Sequence, residues 1–468
     1  MSYVRNECDM ALLIRNGRVV TAGSDAVADV LVEGETIVAV GRDLAAPASA
    51  EVLDATDKLV LPGFIDPHVH IHLPFMGTHA KDDHASASKA ALVGGTTSLI
   101  EMICPGPDED PVEAYELWKS KAAGAASCDY GFHMGVTNFD ESTPDKLKKI
   151  VEDGTASFKV FLAYKGALGV SDEELFNTLE LAAELGVIVT AHCENESLVS
   201  ELQQRLLADG KTGPEWHEPS RPVRVEAEGV HHLMTFAELT GAHVYVVHTS
   251  CQEAVEAAAA AKARGVQAWI ETVIPYLVLD DTYAQQTGFE GAKYVMSPPI
   301  RDEQHQPYLW NALANRTIST VATDHAPFDF KGQKEMGRDN FTMIPNGIPS
   351  VEHRVQLLYH HGVTTGRIDL STFVDSASTQ AAKLFGLYPK KGTIAVGSDA
   401  DLVVWDPDWE GVLSVDTHHM QTDYSAFEGW EQVGRADTVT VRGEVMVRGG
   451  EFVGPEGKGQ FLKREPTH

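Results

Sequence analysis

Cysteine is sparse in this chain: five residues in 468, at Cys8, Cys104, Cys128, Cys193 and Cys251. The number is odd, the spacing is scattered and no C-x-x-C pair occurs, which argues against a disulfide framework and against a structural zinc knuckle. A reduced, cytoplasmic setting is expected. Long apolar runs are missing too, since none approaches the roughly 18 residues of a membrane span. Residues 1–15 contain acidic side chains and no apolar segment ahead of a cleavage site, so no signal peptide is expected. Positive charge is scarce: 37 Lys and Arg stand against 68 Asp and Glu, for a formal net charge of −31. A surface this acidic repels phosphate backbones and anionic lipid, which speaks against binding nucleic acid or a membrane surface. No internal repeat and no low-complexity tract is present.

What remains is ordinary globular composition, 43% apolar and 22% charged, in a chain longer than one usual domain. Both ends read as strands and tight turns. Ala11 to Arg15 and Arg18 to Val20 flank Asn16-Gly17, a hairpin signal. Glu33-Gly34-Glu35, Gly443-Glu444 and Gly449-Gly450 mark further turns between β-branched runs. One small β-sandwich domain built from both chain ends is predicted. Between residues 59 and 390 short apolar strands alternate with helical stretches, a pattern of parallel sheet. Strand-like runs fall at 58–65, 96–103, 130–135, 156–162, 187–191, 244–247, 266–270 and 318–322. Eight of them, with helices between, predict an α/β fold of the (β/α)8 TIM-barrel type. One intervening helix is capped by Ser171 with Glu174, carries a stripe of Leu175, Leu179, Ala182 and Ala183, and stops at Gly186. A doubly wound nucleotide-binding sheet would want G-x-G-x-x-G after the first strand, where Asp66-Pro67-His68 stands instead. The predicted division is 1–58 with 391–450 for the small domain, 59–390 for the barrel, and 451–468 as a tail or an arm onto a neighbouring subunit.

In such a barrel the C-terminal ends of the strands converge on the site. The first strand ends in Asp66-Pro67-His68-Val69-His70. Alternation along a strand puts His68 and His70 on one face, as two ligands of one metal require. The fifth ends at His192, the sixth at His248 and the eighth at Asp324. A lone histidine at a strand end is more often structural, and an aspartate there is more often a helix cap. Agreement among all five positions tips the balance to metal. Three histidines would suit one zinc; four with a carboxylate suit a binuclear centre. Lys159 points inward if Phe158 and Phe161 face the helices. An ammonium between two dications would be repelled. Carbon dioxide converts the free amine to a carbamate, an anionic ligand able to bridge both metals, so Lys159 is assigned as that bridge.

These segments resemble the amidohydrolase superfamily, and more narrowly the dihydropyrimidinases and D-hydantoinases. The resemblance is carried by Asp66 to His70, Phe158-Lys159-Val160-Phe161 with Ala163-Tyr164-Lys165, His192 to Asn195, His248 to Cys251 and Thr323-Asp324-His325. Ser297 to Arg301, Gly337 to Phe341 with Ile344-Pro345-Asn346-Gly347, Gly386 to Pro389 and Thr417 to Ala426 extend it over nearly the whole chain, in the family's order. It implies two zinc ions per subunit, one held by His68, His70, Lys159 and Asp324 and the other by Lys159, His192 and His248. Carboxylated Lys159 and a hydroxide would bridge them. Tyr164 would polarise the scissile carbonyl, Ser297 and Asn346 would bind the ring imide, and Asp324 would act first as base and then as acid. The implied reaction opens the ring amide of a 5,6-dihydropyrimidine or a 5-substituted hydantoin to an N-carbamoyl amino acid. A homotetramer is also implied.

Several positions depart from the pattern. His72 stands where a dihydroorotase would place an arginine. Ala326 replaces a frequent cysteine, and Glu271 to Tyr276 alters a familiar Cys-Pro-Gln stretch. Met76 replaces a common glycine. The loops around residues 74–84 and 164–170 are expected to shape the pocket for the ring substituent, so these changes should touch specificity and not the chemistry. Two alternatives stay open: another cyclic amide or allantoin as substrate, and a non-enzymatic scaffold, against which the complete ligand set speaks.

Overall fold

The computed structural model describes residues 11–468, so Cys8 and most of the stretch read for a signal peptide lie outside the described residues. Eight parallel strands follow one another around a barrel: Phe64–Val69, Thr96–Ile103, Asp129–Gly135, Ser157–Lys165, Ile188–His192, Val244–Val246, Ala268–Val273 and Thr320–Ala322. Helices fill the intervals, and the (β/α)8 barrel read from the sequence is the fold. The helix Asp172–Leu185 has the Ser171–Glu174 capping box and left-handed Gly186 at its end. Its buried face is Leu175, Thr178, Leu179, Leu181 and Ala182, whereas Ala183 is exposed. Among the described residues no helix is long and apolar enough to cross a membrane.

The run at 58–65 turns out to be two strands. Leu59–Pro62 joins the sheet made by the chain ends, and Phe64–Val69 opens the barrel. Gly63 is the crossing point: its N–H donates to Asp401 O at 2.8 Å, and an added Cβ would lie 2.1 Å from Thr97 Oγ1. Periodicity alone cannot register that change of partner. A second correction concerns Asn16-Gly17, which is no hairpin. Ala11–Val20 is one strand with a bulge there, Asn16 taking φ +62° while its N–H donates to Asp29 Oδ1. The reversal comes later, at Thr21 to Ser24. The remaining terminal turns are where the glycines put them, and nine strands from both ends form one sheet over a core of Leu12, Ile14, Val30, Val60, Leu402 and Val404.

Glu451–Phe452 ends the terminal sheet, and residues 459–468 lie against this chain's own barrel. Leu462 N–H donates to Tyr130 O, Arg464 N–H to Gly154 O and His468 N–H to Gly186 O, at 2.7, 2.8 and 3.2 Å.

Closure of the barrel depends on its first and eighth strands, which share only an isolated bridge between Val69 and His325. Main-chain and side-chain hydrogen bonds supply the rest of the seam. Thr323 Oγ1 donates to Asp66 Oδ2 at 2.6 Å, and Asp324 N–H reaches His68 O at 3.0 Å. Arg354, fully buried, donates to Ile65 O and Val321 O, one on each strand, at 3.0 and 2.8 Å. Burial raises the Asp66 pKa and the nearby Arg354 charge opposes it. Arg354→Met keeps the aliphatic stem but orphans both carbonyls and leaves Asp66 without its cation. A loss of about 3–5 kcal/mol is expected, read by urea unfolding. A loss below about 1 kcal/mol would deny Arg354 this role.

Candidate metal centre and active site

Four histidines, a lysine and an aspartate meet at the C-terminal mouth of the barrel. His68 Nε2 and His70 Nε2 each lie 3.1 Å from Asp324 Oδ1. His192 Nδ1 and His248 Nε2 are 2.9 Å apart. Ligand atoms sharing one tetrahedral zinc at ~2.1 Å sit about 3.4 Å from each other, so the spacing suits donors gathered for a metal. His68, His248 and Asp324 alone form a buried group able to hold an ion. Lys159 completes the set. Its Nζ is buried without a hydrogen-bond partner, 4.7 Å from the Phe161 ring centroid. An orphaned amine inside a ring of histidines fits a modified bridging ligand better than a structural lysine.

Strand alternation explains Lys159 and corrects one detail. Phe158 and Val160 face the helices, but Phe161 shares the inward face of Lys159 and lines the cavity. Two residues on, the same parity must return.

Carboxylates behind the histidines fix which nitrogen is free. His68 Nδ1 bonds Glu271 Oε1 at 2.7 Å, leaving Nε2 toward the centre. His192 Nε2 bonds Glu194 Oε2 at 2.8 Å, leaving Nδ1, and Arg221 Nη1 donates to the same Glu194 oxygen at 2.5 Å. Both carboxylates are fully buried. Burial opposes a charge on His68, yet Glu271 and Asp324 raise its pKa to about 9. Burial lowers the pKa values of His70, His192, His248 and Lys159, which favours the neutral, lone-pair forms that bind metal. Burial would raise Asp324, but His68 and His70 hold it well below the usual carboxylate range.

Glu271 also accepts from His248 N–H at 2.9 Å and from the Tyr245 hydroxyl at 2.8 Å. Glu271→Gln keeps the shape and removes the charge that orients His68. Metal affinity should fall by about 10–100-fold in a folded protein, measured by chelator competition. Unchanged affinity would count against the assignment.

Across the cavity stand Tyr164, Ser297 and Asn346. Asn346 Nδ2 donates to Ser297 Oγ at 2.9 Å and lies 3.4 Å from the Tyr164 hydroxyl. Leu73, Phe75, Cys104, Leu168 and Ala326 supply apolar wall. Tyr164, His248 and Asp324 are non-glycine residues at φ +64°, +38° and +52°. Left-handed backbone at three site residues costs about 1 kcal/mol or more each, a concentration typical of functional sites.

All of the sequence-predicted site residues except His68 therefore line one cavity, and His68 lies beside it at 3.1 Å from Asp324 Oδ1. His72 does not join them: its ring lies 5.3 Å from that of His84, which bonds buried Glu101 at 2.7 Å. Met76 sits at φ +50° in the turn between Pro74–Phe75 and Thr78–His79, a conformation in which glycine is unstrained. Sequence reasoning missed Glu271, Glu194, Arg221 and Phe161. A charged residue within Ala268-Trp269-Ile270-Glu271 was the available signal, since a barrel strand rarely buries one without purpose.

The sequence matches the amidohydrolase family over residues 59–446, and the chain belongs to that family. It is 48% identical over 456 residues to a D-hydantoinase of Geobacillus stearothermophilus, covering 97% of each chain. A dihydropyrimidinase of Rattus norvegicus is 40% identical over 462 residues, covering 97% of this chain and 89% of that one. The solved structure of a D-hydantoinase (dihydropyrimidinase) from Thermus sp. superposes with a TM-score of 0.96 at 61% identity, covering 97% of this chain and 99% of its own. Within the family, the chain falls in the D-hydantoinase and dihydropyrimidinase group.

Proposed function

We propose that the protein hydrolyses the ring amide of 5-substituted hydantoins, 5,6-dihydropyrimidines or both, giving N-carbamoyl amino acids. The observation that carries this reading is the convergence of Tyr164, Ser297 and Asn346 on one cavity with His68, His70, Lys159, His192, His248 and Asp324. The donor set suits two zinc ions: His68, His70, Lys159 and Asp324 would hold one, and Lys159, His192 and His248 the other, with Lys159 carboxylated. Metal bound there would lower the pKa of a water and polarise the scissile carbonyl.

The chain's own groups do the rest. Ser297 and Asn346 hold the ring imide, and Tyr164 donates its O–H to the oxygen that gains negative charge. Burial raises the Tyr164 pKa, so the hydroxyl stays protonated and able to donate. Asp324, held anionic, takes the proton released as water adds to the ring carbonyl. It returns that proton to the ring nitrogen as the C–N bond breaks.

The proposal includes the division into 1–58 with 391–450, 59–390 and 451–468, and a homotetrameric assembly. Ring opening of dihydrouracil and of a 5-substituted hydantoin, compared with zinc-replete protein, tests the function. Faster dihydrouracil opening assigns pyrimidine breakdown, and hydantoin preference assigns the other ring. Failure to open either with metal bound would refute the proposed substrates.

A further inference from the structure

Every hydrogen of the Lys334 ammonium is committed to a main-chain carbonyl. The side chain is fully buried, and Nζ donates to Val295 O at 2.8 Å, Pro345 O at 2.6 Å and Gly347 O at 2.8 Å. Val295 lies two residues before Ser297, and Pro345 and Gly347 flank Asn346. The two stretches also meet directly, since Gly347 N–H donates to that same Val295 O at 2.9 Å. One cation thus holds three backbone points around the pair of side chains that face the ring. Three acceptors match the three hydrogens of the charged form, although burial presses its pKa well below the usual lysine range.

The preceding residue reaches the other way. Gln333 Nε2 donates to Thr78 Oγ1 at 2.7 Å and to His79 O at 2.8 Å, while its Oε1 accepts from Asp329 N–H at 2.7 Å. Residues 74–79 are the small hairpin that carries Phe75, whose ring meets Tyr164 edge-on at 5.5 Å. The backbone at 333–334 therefore joins the ring-holding loops to the hairpin on the substituent side.

We propose that Lys334 and Gln333 are positioning residues for substrate: Lys334 sets the spacing of Ser297 and Asn346 around the cyclic amide, and Gln333 ties that frame to the hairpin meeting the ring's substituent. The inference rests on the cyclic-amide reading of the cavity. It assigns Lys334 an influence on every ring and Gln333 an influence on substituted rings alone. Neither side chain hydrogen-bonds a proposed metal ligand, so metal content should follow neither.

The test compares KM, kcat and bound metal in the metal-replete protein, with unsubstituted hydantoin and a 5-aryl hydantoin as substrates. Lys334→Met should raise KM for both by about tenfold or more, with a smaller change in kcat and parental metal content. Gln333→Ala should raise KM for the 5-aryl substrate only. Loss of structure alone would lower the active fraction, and hence kcat, without moving KM. If Lys334→Met does not fold, Lys334→Gln, which keeps two donors, replaces it, with the same rise expected. Parental KM in folded Lys334→Met or Lys334→Gln overturns the role of Lys334. An equal KM rise for both substrates in Gln333→Ala, or none, overturns the tie to the hairpin. A parent that opens neither ring overturns the cyclic-amide reading and this inference with it; parental KM values in active variants overturn the inference alone.

Discussion

Lys159→Ala is expected to lose most of its bound metal and nearly all activity. The lysine is fully buried, its Nζ has no hydrogen-bond partner, and burial lowers its pKa toward the free amine. Among the described residues no carboxylate is paired with it, although Asp324 stands in the same cavity. A structural lysine in this position would be an uncompensated cost of several kcal/mol, which the fold has no reason to retain. As a carbamate it would supply a bridging negative charge that the histidines and one aspartate do not. The loss of metal affinity should therefore exceed the roughly 10–100-fold expected when only an outer partner such as Glu271 is changed. Metal analysis of folded, gel-filtered variant reads it. A fully metallated, active Lys159→Ala protein would remove the lysine from the centre.

Tyr164→Phe should keep its bound metal and reduce turnover by about 10²-fold, the scale of one lost oxyanion donor. The substitution isolates the hydroxyl because the ring contacts survive it. Tyr164 packs 5.3 Å from His192, 5.5 Å from Phe75 and 5.5 Å beneath the Arg221 guanidinium, all through its ring. Its strained backbone is held by an N–H bond to Glu196 Oε2 at 2.7 Å, which phenylalanine keeps. Single-turnover rates with metal content measured alongside decide it. Parental turnover would exclude the hydroxyl from the reaction.

Much of this was legible in the amino-acid order because strand parity and strand ends are local properties. His68 and His70 share a face by alternation, and His192, His248 and Asp324 end apolar runs. The same parity rule, applied to the end, would have placed Phe161 beside Lys159 and not against the helices. What escaped was partnership over distance. Asn16-Gly17 has the composition of a hairpin, but the strand continues because Leu59–Pro62 and Glu51–Asp54 extend the pairing of Ala11–Val20. Glu271 serves His68 from another strand, 203 residues along the chain. Lys334 is the extreme case, since its three acceptors are carbonyls and leave no mark on side-chain pattern.

The positive φ angles at Tyr164, His248 and Asp324 have a bearing on attempts to make this protein more heat-resistant. Glycine at any of the three would relax the main chain by about 1 kcal/mol or more, but the cavity left in a buried site would cost about 2–5 kcal/mol, so a screen for thermal endurance would pass it over. Met76 pays a similar backbone penalty at φ +50° without being a proposed metal ligand. Met76→Gly would therefore relieve backbone strain without removing a proposed metal ligand or ring-binding group.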